Sequence, residues 1–495
     1  MLAAAPAIAA VGRAGGHTNP GDRVPPAVAP VPDPIVAAGT GGRWSAPGLL
    51  SACPETSAPQ VIFPSDSPSH GTGPGAVVWG AARACPGGEG ARVAPIGAGD
   101  VPAGVGEEGA DAPHRLDLRG ALIAARAPRG KIVIAGGTPA EDRVGALLRE
   151  GSAAGPFAPL ASSEGQPGPI ALASGYLGDV ALLAAVQGAP GEEGLRLRVQ
   201  RYYADGFGHW IGVSGARAGP IASLTSAMDY RSDVLAVWWQ EGAIDAREVP
   251  AGDIGRPVQR LATAAAGPEL TALLSDDDHG IVAWSERRRG ETSVYLDVSR
   301  RGVRFGPPRL VEHFADPDGA DLPAVGVHLV RLSSESVLMV WAGAAGGRWV
   351  VRAAAIELGG PGPISTLAAP GGDAQLAAVA AGPRDEALAL WSEPQPSAVA
   401  GPVPSSALFA ARVIEPHPAG TVFGAPEQLA PPGAYADATL AIDPDSGRGL
   451  AVWEAGGGSL EYSIRTPRPA RSCTAPDGRA APMAAFREGC AADGP

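Results

Sequence analysis

The chain has 495 residues, 18% of them charged, and a formal net charge of -13. No clustered Lys/Arg footprint of a nucleic-acid-binding protein is present, and no run of 18 or more apolar residues predicts a transmembrane helix. Seventy glycines and 51 prolines would suggest disorder in a chain without period. Here a period exists, so they are read as turns between many short strands.

Leu2 to Val11 is an Ala-rich apolar run of signal-peptide character that lacks a positively charged start. It reads as the tail of an export signal or as plain alanine-rich sequence. Residues 12–36 are Gly/Pro-rich without periodicity and read as a flexible arm or linker, and residues 1–34 are set apart as the N-terminal segment. Ordered structure is expected from about Ile35.

The next landmark is Ala76-Val77-Val78-Trp79, an apolar run ending in Trp. Such β-branched and aromatic runs favour strands. The motif returns as Leu235 to Trp238, Ile281 to Trp284, Leu338 to Trp341, Leu388 to Trp391 and Leu450 to Trp453. Weaker copies, Ile132 to Ala135 and Leu183 to Val186, fill the gaps. A second landmark, Gly or aromatic followed by Pro, alternates with it, as in Phe305-Gly306-Pro307-Pro308 and Phe423-Gly424-Ala425-Pro426.

One unit shows the internal order. Ile281 to Trp284 is a strand, and the polar turn that follows contains the basic run Arg287, Arg288 and Arg289. Thr292 to Val298 alternates as a second strand, and a weak strand with Val325, Val327 and Leu329 precedes the next Trp. This is a meander of three to four strands in about 50 residues. One meander cannot cover both of its faces, whereas a ring of meanders can. Val144 to Glu150 resembles a short helix but occupies a strand position, and is assigned as strand. The expected fold is all-β: a β-propeller of seven or eight blades over residues 35–468. A strand near Ile35 to Ala38 is expected to close the last blade. Residues 469–495 form a C-terminal tail.

Four cysteines lie as one pair near each end, Cys53 with Cys85 and Cys473 with Cys490. Two local disulfides are the preferred reading, although four cysteines allow three connectivities. No Cys-x-x-Cys supports a zinc knuckle.

Repeats of a Trp-ending strand followed by a Gly-x-Phe-x-x-Pro-like turn resemble the secreted sialidase-like (BNR/Asp-box-related) β-propellers of high-GC bacteria. The resemblance covers residues 35–468 and implies a secreted or cell-surface propeller. It carries over no catalytic residue. The Asp-box pattern Ser-x-Asp-x-Gly-x-Thr-Trp and the Arg-Ile-Pro motif are both absent from the chain.

Three sets of polar residues stand out. Glu286, Glu393 and Glu454 follow the Trp strands, with Gln240 in a similar place. A suitably spaced carboxylate pair would suit glycosidic acid–base work, but acids repeated blade after blade point to a structural role. Asp276, Asp277 and Asp278 offer hard oxygen ligands for Ca²⁺, although Asp-rich segments also simply make turns. The turns at Asp316 and Asp443 offer the same choice. Tyr202, Tyr203, Asp205, His209 and Trp210 are the densest aromatic–polar cluster and would suit carbohydrate or peptide binding. His279 is read as a turn residue. The leading functional reading is a monomeric, non-catalytic binding or scaffold module for a glycan or extracellular protein, with no required cofactor. The alternatives are a sialidase-like glycoside hydrolase or lyase and a purely structural surface domain.

Overall fold

The computed structural model describes residues 43–467 apart from several connecting segments, the longest being 64–74, 103–113 and 395–405. Within them the chain forms eight antiparallel sheets of four or five strands. Strands pair in chain order within each sheet, except that the two most N-terminal strands pair with the last strand of the chain. The first strand of each sheet touches the first strand of the next, and the first strand of the last sheet touches that of the first. The eight sheets are therefore blades of a closed β-propeller. Both blade counts were open from the sequence; the ring contacts decide for eight.

The first strands, running from Glu55–Ile62 in blade 1 to Tyr435–Ile442 in blade 8, surround the axis. The second strands carry the tryptophans: Gly75–Ala81, Val234–Gln240, Gly280–Arg288, Val337–Ala345, Ala387–Pro394 and Gly449–Ala455. Lys131–Gly137 and Val180–Gln187 take the same place in blades 2 and 3, as their weaker motifs predict. Val144–Glu150 is a strand, pairing with both Lys131–Gly137 and Ala153–Pro159.

Alternation explains why the second strands are apolar throughout. Successive side chains point to opposite faces of a sheet, and here both faces meet another blade. In blade 5, Val282 and Trp284 pack with Leu235 and Val237 of blade 4. Ile281 and Ala283 pack with the cluster containing Leu338 and Val340 of blade 6. The same split puts Trp453 toward blade 7 and Val452 toward blade 1. Trp238, Trp284, Trp341, Trp391 and Trp453 are fully buried wedges between blades.

The second landmark also acquires a contact. Phe305 lies beside Gly280, where an added Cβ would come within 2.8 Å of the Phe305 ring. The glycine that opens the strand leaves room for the aromatic that follows the third strand. Several second-to-third-strand hairpins are closed by two residues with positive φ: Glu241-Gly242, Arg289-Gly290 and Gly346-Gly347. That pair of dihedrals gives a primed turn, whose twist matches the flanking strands. The basic run of blade 5 ends in this turn, with Arg288 and Arg289 exposed.

Ring closure uses the N-terminal end of the chain, as expected. Blade 8 is completed by Arg43–Trp44 and Gly48–Ser51, both antiparallel to Ser459–Thr466. Ile35 to Ala38 lies outside the described residues. Ser45 secures the closure: its amide donates to the Ile464 carbonyl at 2.8 Å, and Ser463 Oγ donates to the Ser45 carbonyl at 2.8 Å. A disulfide joins Cys53 to Cys85, with Cα atoms 5.6 Å apart. Cys473 and Cys490 fall outside the described residues. No helix among the described residues is long and apolar enough to cross a membrane.

Candidate functional site

The turns between first and second strands emerge on one face of the ring, opposite the tight hairpins. In blade 4 this turn is Asp229 to Asp233. The Asp229 amide donates to the Asp233 carbonyl at 3.2 Å, and the Ser232 amide to the Asp229 carbonyl at 3.3 Å. Asp229 Oδ1 accepts the amides of Arg231 and Asp233 at 2.9 and 2.8 Å. This Asx arrangement holds the side chain inward. Asp233 Oδ1 accepts the Ala251 amide at 2.6 Å.

Blade 5 repeats the turn from Ser275 to His279. The Ser275 amide donates to the His279 carbonyl at 3.0 Å, and the Asp278 amide to the Ser275 carbonyl at 3.1 Å. Ser232 and Asp278 hold the same place, with φ of 66° and 61°. Asp is among the few residues that tolerate this left-handed conformation.

The two turns bring three carboxylates together. One oxygen each from Asp229, Asp233 and Asp278 lies within 4.8 Å of the others. Asp229 is buried, and its Oδ2 has no hydrogen-bond partner. Burial pushes the Asp229 carboxyl above its usual range; the two backbone amides oppose this, and the Asp233 and Asp278 charges add to it. Glu248 lies in the same field. Burial raises its carboxyl, Arg256 opposes, and Asp233, Asp278 and Asp229 raise it further. Arg231 Nη1 meets both Asp278 oxygens, at 3.0 and 3.1 Å, with its guanidinium 4.9 Å from the Tyr230 ring centre. Ser232 Oγ donates to Asp179 from the matching turn of blade 3.

The Asp triplet expected from the sequence is therefore rearranged. Asp278 joins the cluster, Asp277 is exposed, and Asp276 lies outside the described residues. The partners of Asp278 come from the neighbouring blade, about 45 residues earlier in the chain. The one available signal was the alignment of the two turns ahead of their Trp strands. His279 is a turn residue, its Nδ1 lying 3.0 Å from the Ser299 carbonyl oxygen.

The aromatic–polar cluster is divided. Tyr202 is core, 1% exposed and edge-on to Phe207 at 5.2 Å. The reason is alternation: Tyr202 points with Val180 and Leu182 into the interface between blades 2 and 3. Trp210 is half-buried against the same core, and His209 is exposed. The Tyr203 side chain and Asp205 lie outside the described residues. Asp316 is held by Arg287 and by Thr292 Oγ1, which donates to it at 2.6 Å. Asp443 accepts from Ser446 within its own turn.

Two of the acids after the tryptophans accept from the indole of their own strand. Trp391 Nε1 donates to Glu393 at 2.7 Å, and Trp284 Nε1 to Glu286 at 3.3 Å. In blade 8 the acceptor is Glu461, the cross-strand neighbour of Trp453, rather than Glu454. In blade 6 it is Glu312 of the preceding blade, 2.6 Å from Trp341 Nε1. The Gln240 amide bridges to blade 3, with its shortest contact to the Gly219 carbonyl at 2.8 Å. Burying an indole N–H demands an acceptor, and these acids supply it.

No family model and no curated protein matches the chain. Among solved structures, a protein of unknown function from Dyadobacter fermentans shares 11% identity, with 86% of this chain and 99% of that one aligned at a TM-score of 0.38. A leech intramolecular trans-sialidase shares 9% over 86% of this chain and 94% of its own, at 0.33. The SapL1 lectin, crystallised with a methyl fucoside, shares 12% over 64% and 98%, at 0.32. At these identities and TM-scores no chemistry is transferred from them.

Proposed function

We propose that the chain is a non-catalytic binding or scaffold module, secreted or displayed at the cell surface, that engages a glycan or protein partner through the turns of its faces. The observation that carries this reading is the fate of the recurring acids. Of the three acids that follow the Trp strands, Glu286 and Glu393 accept hydrogen bonds from buried indoles in their own blades, whereas in blade 8 the indole goes to Glu461 rather than Glu454. Glu393 is fully buried. Burial closes Glu393 to a glycosidic oxygen or a water, and the second oxygen of Glu286 lies 3.2 Å from Arg288 Nη2. The Cys53–Cys85 disulfide supports an oxidising compartment.

The test is a glycan array run beside a hydrolysis panel on the full chain. Retention of a glycan class without product release supports the reading. Product release that Glu286→Gln or Glu393→Gln abolishes overturns it in favour of a hydrolase. On stability, Glu393→Ala leaves Trp391 Nε1 without its acceptor and is expected to cost about 1–3 kcal/mol. Glu393→Gln keeps an acceptor oxygen and is expected to cost less, as read from denaturant midpoints.

A further inference from the structure

We infer that Asp229, Asp233 and Asp278 form a divalent-cation site of calcium type, bridging the first-to-second-strand turns of blades 4 and 5. This assignment does not depend on the binding-module reading. Two observations support it. The first is convergence: three carboxylate oxygens from two blades lie within 4.8 Å of one another. The second is the state of Asp229. Its side chain is sealed from solvent, and one oxygen is left without a hydrogen-bond donor. A buried carboxylate oxygen without a partner costs free energy, and its own turn's amides are already engaged at Oδ1. A cation among the three carboxylates supplies what Oδ2 lacks.

The chemistry selects the ion. All three ligands are hard oxygens, which disfavours soft-ligand metals. Two oxygens on opposite sides of one ion sit at most twice the metal–oxygen distance apart. That is about 5 Å for Ca²⁺ and about 4.2 Å for Mg²⁺. The three oxygens, all within 4.8 Å of one another, fit inside the limit for Ca²⁺. Arg231 sits on Asp278 and offsets part of the negative charge. Its guanidinium and the cation compete for the same carboxylate. The site would also lock two neighbouring blades at one face.

The test uses the full chain, stripped with chelator and titrated with Ca²⁺ by calorimetry, with melting temperature read in parallel. One Ca²⁺ per chain is expected, with a raised melting temperature and a weaker response to Mg²⁺. Asp229→Asn keeps the Oδ1 acceptor, and Asp278→Asn keeps a residue type tolerant of positive φ. Both are expected to weaken Ca²⁺ binding at least tenfold. In chelator, Asp229→Asn is expected to melt at or above wild type, because a buried repulsive charge is gone. Arg231→Gln is expected to tighten binding. Absence of Ca²⁺ binding up to about 10 mM, beyond the range of weak extracellular sites, overturns the assignment. So does binding that both Asn variants leave unchanged.

Discussion

Asp297 shows how one buried side chain governs a bulk property. It lies in the third strand of blade 5, 2% exposed, with Oδ2 unpartnered. Burial drives its carboxyl up to about 7, against the opposing pull of the Val298 and Gly306 amides and of Arg309. The unfolded chain ionises this group near pH 4. The folded state therefore binds the extra proton between about 4 and 7, and stability from this residue is full below 4 and falls as pH rises to 7. His328, on an inner strand, has the opposite sign. Its enclosure lowers the imidazole to about 4, so stability falls as pH drops from about 6.5 toward 4. The two slopes oppose each other in one window. Asp297→Asn is expected to remove the first and leave an acid-side loss alone, seen as a melting temperature that falls steadily from pH 7 to pH 4. A melting profile that matches wild type across this range would refute the assignment. Neither residue was legible in sequence, because nothing local distinguishes a buried Asp from one on a turn.

At the scale of the element, period-2 alternation decides most outcomes. The Trp strands were visible in the sequence as recurring apolar runs, and Val144–Glu150 is a strand, as its place in the unit predicts despite its helical look. Alternation removes Tyr202 from the surface, since its register with Val180 turns it into the interface between blades 2 and 3. The glycine that opens the second strand in blades 1, 5 and 8 is a subtler element-level feature. At Gly280 an added Cβ meets Phe305 at 2.8 Å, and Leu235 and Ser299 at 3.2 Å. Gly280→Ala is therefore expected to destabilise by about 1–3 kcal/mol through overpacking, read from urea midpoints. Adding Phe305→Leu should recover part of that loss. If the double variant is no better than the single, the contact is not the cause.

At the scale of the whole molecule, the ring depends on its seam. The N-terminal strands Arg43–Trp44 and Gly48–Ser51 complete the last blade, so the two ends of the described chain share one sheet. Cys53 follows immediately and is tied to Cys85 in blade 1, across a separation of 32 residues. The disulfide thus anchors the segment that passes from the last blade into the first. Replacing both cysteines by serine is expected to lower stability by roughly 3 kcal/mol, with closure of a loop of this length as the physical origin. Denaturation with and without reductant checks this: wild type should shift on reduction and the variant should not. Equal midpoints for all four samples would show that hydrogen bonds alone hold the seam.

What the sequence by itself determined was the repeating architecture. Apolar runs ending in Trp, alternating with Phe/Pro turns about every 50 residues, encode strands that need a sheet on each side. That requirement is local and periodic, so it can be read along the chain. The Cys53–Cys85 pair was legible for the same reason, as a short-range relation. The tertiary structure alone decided the blade count, the closing strand and the company that each acid keeps. Glu286 and Glu393 face an indole in their own blade, whereas Glu312 reaches an indole in the next. Asp278 leaves its two sequence neighbours to join Asp229 and Asp233. These are distances between blades, set by how sheets stack around an axis, and no pattern within one repeat contains them.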